Sequence, residues 1–205
     1  MRSVYRLTDI GATITMSGAK LIVISAPSGS GKTTIARKIL SRSPNLLFSI
    51  SATTRKRRPN ETDGKDYFFL TQEEFRKKIQ HGELIEWEQI YDDYYGSLRS
   101  EVERAMSAGK SMVFDVDVNG ALSIKTKYPK DAVLIFIKPP SIETLKTRLR
   151  NRKTESTEII NKRLERVPME LKKEKDFDFI VVNDSLEKAV NEVESIIKDA
   201  IAASR

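Results

Sequence analysis

Apolar residues fall along this chain in short, nearly unbroken runs, separated by longer stretches in which they recur every three or four positions. The runs lie at Lys20 to Ser25, Leu47 to Ser51, Ser111 to Asp115, Ala132 to Ile137 and Phe179 to Val182. Runs of this length with so few polar interruptions read as buried strands, and the stretches of helical period between them as crossover helices, the alternation that a parallel sheet demands. The pattern predicts helices over Thr33–Ser41, Thr71–His81, Arg99–Ala108, Gly120–Lys127, Ile142–Asn151, Glu158–Lys173 and Leu186–Ala202. Pro44 closes the first of these and Pro139-Pro140 stops the fourth strand. The fold class is α/β, with Lys20–Ser25 as the central strand of a three-layer core.

The segment from Thr53 to Gly96 breaks the rhythm. It holds a basic loop (Arg55-Lys56-Arg57-Arg58-Pro59), a turn signal at Asp63-Gly64, aromatic strand-like residues at Tyr67-Phe68-Phe69 and a turn-rich patch from Tyr91 to Gly96. These features predict a small, mixed or mostly antiparallel subdomain inserted between the second and third parallel strands. Within it Tyr94 is expected to pack the subdomain, Trp87 to be core and His81, the sole histidine, to lie on the surface. Residues 1–17 read as a flexible extension, with Met16 as an alternative start, and 18–205 as the domain. That domain divides into a core (18–52, 98–147, 168–205), the insert (53–97) and a lid (148–167).

Directly behind the first strand stand Ala26-Pro27-Ser28-Gly29-Ser30-Gly31-Lys32-Thr33-Thr34. A strand, a glycine loop and a helix in that order make a phosphate-binding P-loop. Gly29 and Gly31 allow backbone N–H groups to converge on phosphate oxygens where the helix adds its positive end. Lys32 is placed to bridge the outer phosphates of a nucleoside triphosphate, and the Thr33 hydroxyl to hold Mg2+.

Composition narrows the class further. With 205 residues, 39% hydrophobic and 32% charged, the chain can bury a sizeable core. Its longest apolar runs fall far short of the ~20 residues of a membrane span. It has no cysteine, hence no disulfide or thiolate metal site, in keeping with a cytoplasmic location. The +7 net charge is local: the stretch from Leu145 to Lys175 holds eleven of the 36 basic residues but five of the 29 acidic ones. Such a concentration suits a small polyanionic ligand better than nucleic acid.

In the insert, Arg55 and Arg58 with Tyr67 and Tyr95 form a donor set for a second phosphate, the guanidinium groups offering forked hydrogen bonds. Glu86, inside Leu84-Ile85-Glu86-Trp87, is a carboxylate in an apolar strand. It must pair with an arginine or meet a ligand with N–H donors, such as the N1 and N2 of guanine. Asp115 and Asp117, at the end of a buried strand, are unusual residues for that place.

The chain resembles the guanylate kinase family from Leu21 to its C-terminal helix. The resemblance rests on Ser25 to Thr33, on Ser51-Ala52-Thr53-Thr54-Arg55 with Arg58-Pro59 and Gly64-Lys65-Asp66-Tyr67, on Ile85-Glu86-Trp87, on Tyr94-Tyr95-Gly96-Ser97, and on Asp115 to Gly120. It implies ATP-dependent phosphorylation of GMP, and of dGMP, with Mg2+, in a P-loop fold with a GMP-binding insert and an arginine-bearing lid. It further implies that Arg55, Arg58, Tyr67 and Tyr95 hold the GMP phosphate, and that Ser51, Glu86, Ser97 and Asp117 read guanine. Asp115 is expected among the GMP-binding residues, near the metal or the lid arginines. Arg148, Arg152 and Arg163 would close over the triphosphate beside Lys32, and Asn183 would contact adenine. Insert and lid are expected to swing inward together when both nucleotides bind. A monomer or homodimer without nucleic acid or membrane partners is expected.

The chain departs from the family pattern at Ala26, Asn119 and Asn151-Arg152-Lys153. Two further readings stay open: a P-loop kinase for another nucleoside monophosphate, and a silent kinase-like module that binds phosphorylated proteins. Intact Gly29, Gly31, Lys32, Thr33 and Arg152 favour an enzyme.

Overall fold

The computed structural model describes residues 18–90, 92–150 and 157–204. The expected extension over 1–17, Tyr91 and the lid residues Asn151, Arg152 and Lys153 lie outside them. Five parallel strands, β1 (Leu21–Ser25), β2 (Leu47–Phe48), β7 (Met112–Asp115), β8 (Ala132–Lys138) and β9 (Phe179–Val182), form one sheet in the order β2-β7-β1-β8-β9, with β1 at its centre. Four more, β3 (Ser51–Thr53), β4 (Phe68–Phe69), β5 (Leu84–Ile90) and β6 (Asp93–Leu98), form a second sheet in the order β4-β3-β6-β5.

The unbroken apolar runs have a direct cause: both faces of the large sheet are covered. Leu21 and Val23 point into the layer closed by α3 (Arg99–Ser107) and α4 (Val118–Lys127), together with Phe114 and Phe136. Ile22 and Ile24 point the other way, into the layer under α1 (Lys32–Arg42) and α7 (Leu186–Ala202), with Ile35, Ile39, Val190 and Val193. Helices α5 (Ile142–Arg150) and α6 (Thr157–Lys172) have their own small cluster around Leu145, Leu149 and Val167. Helix α2 (Gln72–Gln80) closes the small sheet through Phe75, and its start is fixed by a capping box between Thr71 and Glu74. Among the described residues no helix is long and apolar enough to cross a membrane.

Two expectations need correction. The run Leu47–Ser51 is not one strand. Leu47 and Phe48 pair with β7, Ser49 N–H makes a last 2.9 Å bond to Val113 C=O, and the chain then crosses into the second sheet, where Ser51 pairs with Ser97. One apolar run is thus shared between two sheets, and the small sheet begins two residues earlier than the expected insert boundary. The second correction is Trp87, which is 47% exposed. Successive strand residues face opposite sides, so a strand that turns Glu86 inward must turn Trp87 out; the indole rests near Tyr94, 6.1 Å between ring centres. Tyr94 itself stacks on Phe75 at 5.4 Å, and His81 caps α2 with an exposed ring, both as expected.

Candidate active site

All the strands of the large sheet end at the same edge, and the P-loop, Asp115 and Asn183 follow or close three of them: β1, β7 and β9. The carboxyl edge of a parallel sheet is where ligands bind in open α/β folds. In the P-loop, Gly29 and Gly31 adopt φ of +91° and +93°, the left-handed region that side chains rarely enter. A Cβ on Gly31 would stand 2.4 Å from Nδ2 of Asn183, whose amide donates a 2.7 Å bond to Ser30 C=O. Asn183 therefore serves the loop as a buried brace, not as a side chain open to an adenine pocket. Lys32 forms an ion pair with Asp115 and donates to Val116 C=O at 2.8 Å; Thr33 Oγ1 donates to Asp115 Oδ2 at 2.6 Å. Residues 26–34 line a cavity of about 300 Å3 together with Ile90, Asp117, Arg163, Arg166 and Glu170.

Helix α6 brings Arg163 and Arg166 to this cavity, and Arg148 on α5 bonds the backbone behind it. Arg163 reaches the Ser28 hydroxyl at 3.2 Å. Arg148 donates to Asn183 C=O at 3.0 Å, and its other terminal nitrogen is buried without a hydrogen-bond partner among the described residues. Arg166, unforeseen in the sequence, also lines the cavity.

The second site is a cleft of about 830 Å3 that reaches from Lys32 and Thr33 to the small sheet. Ser51, Ser97 and Glu86 are cross-strand neighbours on β3, β6 and β5, so their side chains share one row. Glu86 is 6% exposed; its Oε1 accepts a 2.6 Å bond from Ser97 Oγ. Among the described residues no lysine or arginine pairs with it directly, and burial pushes its carboxyl up to about 7, aided by the nearby Asp117 charge. Asp117 caps α4, one oxygen accepting the Gly120 N–H at 2.8 Å. A Cβ on Gly120 would lie 2.8 Å from Glu86 Oε2 and 3.0 Å from Asp117 Oδ1, so both carboxylates close on bare backbone.

At the other end of the cleft Tyr67 meets Tyr95 edge-on, 6.2 Å between ring centres, and Arg55 lies 5.3 Å over Tyr67. Arg55 is held by Glu61 at 2.7 Å, and Glu61 also accepts the Arg58 N–H at 2.8 Å. These bonds hold the Glu61 carboxyl below its ordinary value and raise the Arg55 guanidinium; burial raises the Tyr67 phenol. The Arg58 side chain is exposed and lines the cleft. Asp115 lines it too, but its carboxylate is engaged by Lys32 and Thr33. The expected residues thus gather into two neighbouring sites, with Arg152 outside the described residues. Sequence reasoning missed Glu61, Gly120 and Arg166. Glu61 lies in the same loop as its arginine, the one signal that was available; Gly120 and Arg166 look like ordinary helix residues.

Comparison with known proteins agrees with this geometry. Residues 18–200 match the family model for guanylate kinase. The guanylate kinase of Salinibacter ruber is 46% identical over 189 residues, covering 92% of this chain and all of that protein. That of Thermotoga maritima is 48% identical over 179 residues, 87% of this chain and 86% of that protein. The crystal structure of the guanylate kinase from Anaplasma phagocytophilum superposes with a TM-score of 0.73 at 31% identity, covering 89% of this chain and 86% of the other. With a matching family model over nearly its whole described length and relatives this similar, the chain belongs to the guanylate kinase family.

Proposed function

We propose that this chain transfers the γ-phosphoryl group of ATP to GMP, giving ADP and GDP. One observation carries the acceptor identity: Glu86, buried on the cleft floor and joined by Ser97, has no direct cationic partner among the described residues, and Asp117 stands beside it. Two carboxylates side by side match the N1–H and N2–H groups of guanine; adenine would leave them unpaired. Hydrogen-bonding sites of this kind discriminate by as much as ~10⁴-fold. Ser51 and Ser97 complete the guanine row, and Arg55, Arg58, Tyr67 and Tyr95 receive the acceptor phosphate.

On the donor side, residues 26–34 wrap the triphosphate with backbone N–H groups, and Lys32 turns from Asp115 to the outer phosphates. Arg148, Arg152 and Arg163 balance charge on the transferring group, a contribution on the order of 10³-fold for arginines in this role. Asn183 supports the ATP site through its bond to Ser30. A divalent ion fits here: Thr33 Oγ1 and Asp115 Oδ2 offer two hard oxygens 2.6 Å apart, the small protein contribution that Mg2+ takes when phosphates and water fill its other positions. When bound, Mg2+ neutralises charge on the phosphates and aligns them. In-line placement and electrostatics suffice for the transfer, so no side chain is needed as a general base. Closure of insert and lid over both nucleotides keeps water from taking the phosphoryl group. The protein works in the cytoplasm, as a monomer or homodimer.

A coupled assay offering ATP-Mg2+ with GMP, dGMP, AMP, CMP and UMP in turn tests the proposal. Turnover confined to the guanine nucleotides is the expected result; preference for AMP, or no transfer to any of the five, overturns it.

A further inference from the structure

Three charged side chains that the transfer step does not use meet around Asp117. Arg166, on lid helix α6, lies 2.8 Å from Glu88 on β5 and 3.7 Å from Asp117 Oδ2; Glu170, one turn along α6, is 3.7 Å from the same guanidinium. Glu88 is two residues beyond Glu86 on one strand, so it faces the same side of the small sheet, next to the proposed guanine row. The second oxygens of Glu88 and of Glu170 are buried without hydrogen-bond partners among the described residues. Burial and the neighbouring Asp117 push the Glu88 carboxyl up to about 7, and Arg166 opposes them. Glu170 is raised by burial as well, again against Arg166. Three carboxylates around one guanidinium is a costly way to join helix to sheet, since apolar packing commonly does as well or better.

We infer that Arg166 is a positioning residue for the acceptor base: from the lid helix it bridges Glu88 and Asp117 and holds the Asp117 carboxylate turned to the pocket, so guanine is read only when α6 is docked. The inference rests on the reading of GMP as acceptor. Two adjacent carboxylates that lose their shared cation repel each other, which turns Asp117 away from the base edge. Arg166 belongs to neither sheet, so the acceptor site of the insert and core is complete only with a group from the lid.

The test uses the full chain, calorimetric GMP affinity and KM for each nucleotide. Arg166→Gln is expected to weaken GMP binding about tenfold, as couplings between contacting charges of this size imply, and to raise KM for ATP by a clearly smaller factor, since Arg166 also lines the cavity of residues 26–34. Adding Glu88→Gln removes the uncompensated repulsion and is expected to restore most of the lost affinity. A merely structural Arg166 would lower Tm, disturb both substrates equally and gain nothing from Glu88→Gln. Unchanged GMP affinity in Arg166→Gln, or no recovery in the double variant, overturns the inference. Should Arg166→Gln not fold, Arg166→Lys carries the same test, with about threefold weaker GMP binding expected and full affinity counting against the inference. Wild-type protein inactive on every guanine nucleotide would instead sink the acceptor reading itself.

Discussion

The two proposed nucleotide sites are built on opposite plans. At the donor site the chemistry comes from nine consecutive residues, the loop after the central strand and the first turn of its helix, and its groups already satisfy one another: Lys32 and Thr33 with Asp115, Asn183 with Ser30. At the acceptor site single residues arrive from β3, a loop, β5, β6 and the cap of α4, and the key carboxylate sits buried with one hydroxyl for company. A phosphate is recognised by any cradle of N–H groups, and one loop can make that cradle. A base edge needs acceptors at fixed separations, and two sheets must meet to place them.

If the sites are this separable, each can be broken alone. Lys32→Met should lower kcat on the order of 10³-fold, the scale of losing a charge that acts on the transferring group. GMP affinity measured without ATP should stay within about twofold, because Lys32 belongs to the donor plan. Equal losses at both sites would show that the plans are not separate.

Glu86→Gln cuts the other way. Losing a charged acceptor for guanine should reduce kcat/KM for GMP about 100-fold, with KM for ATP nearly unchanged. The same change should stabilise the fold at neutral pH. The carboxyl of Glu86 is raised from 4.5 to about 7, so between those values the native state keeps a proton that the unfolded chain has released. Stability conferred by that proton is fully present below about 4.5 and is lost as pH rises through 7, by roughly 3 kcal/mol. Glu86→Gln should flatten this part of the stability–pH curve, read by urea melts from pH 4 to 8. Guanine, in turn, prefers the ionised form, so wild-type GMP affinity should strengthen from pH 5 to pH 7.5 with net proton release on binding. A proton uptake seen by calorimetry in buffers of differing ionisation enthalpy would contradict the assignment.

Gly120→Ala tests how closely the acceptor site is fitted. Alanine is the better helix former by about 1 kcal/mol, so on propensity alone the variant should gain stability. Its methyl, however, would meet Glu86 and Asp117 at 2.8 and 3.0 Å and must displace one of them. GMP binding should weaken about tenfold while ATP is unaffected, the loss expected when a fitted pair shifts by a few tenths of an ångström. Equal GMP affinity in both proteins would mean that the two carboxylates do not act as a pair.

The difference in plan also decided what could be read from the sequence. The P-loop, the central strand and most helices are local patterns, and they stand within a residue or two of their expected places. The split of Leu47–Ser51 was hidden because both sheets accept the same apolar residues, and nothing local says where one strand leaves off. Glu61 lay in the right loop but looked like one more charge in a charged stretch. Gly120 and Arg166 meet partners distant in sequence, Glu86 and Glu88, and no periodicity points to such a pairing. Asn183 was expected to contact adenine, and its place as a buried brace under Ser30 could not be foreseen, since a brace and a ligand contact look alike in one dimension.

Trp87 gives the smallest expected effect and the sharpest control. It follows Glu86 directly, so a mutation there keeps the strand, the sheet and the distance to the pocket while changing the opposite face. Its ring is half exposed and touches the subdomain chiefly through Tyr94. Trp87→Thr retains strand propensity, and its expected cost is about 1 kcal/mol in urea melts, with kcat/KM for GMP within about twofold. A tenfold fall in GMP activity at unchanged stability would mean that the outer face of β5 also communicates with the cleft, and that the inward and outward residues of this strand are not the independent sets their alternation implies.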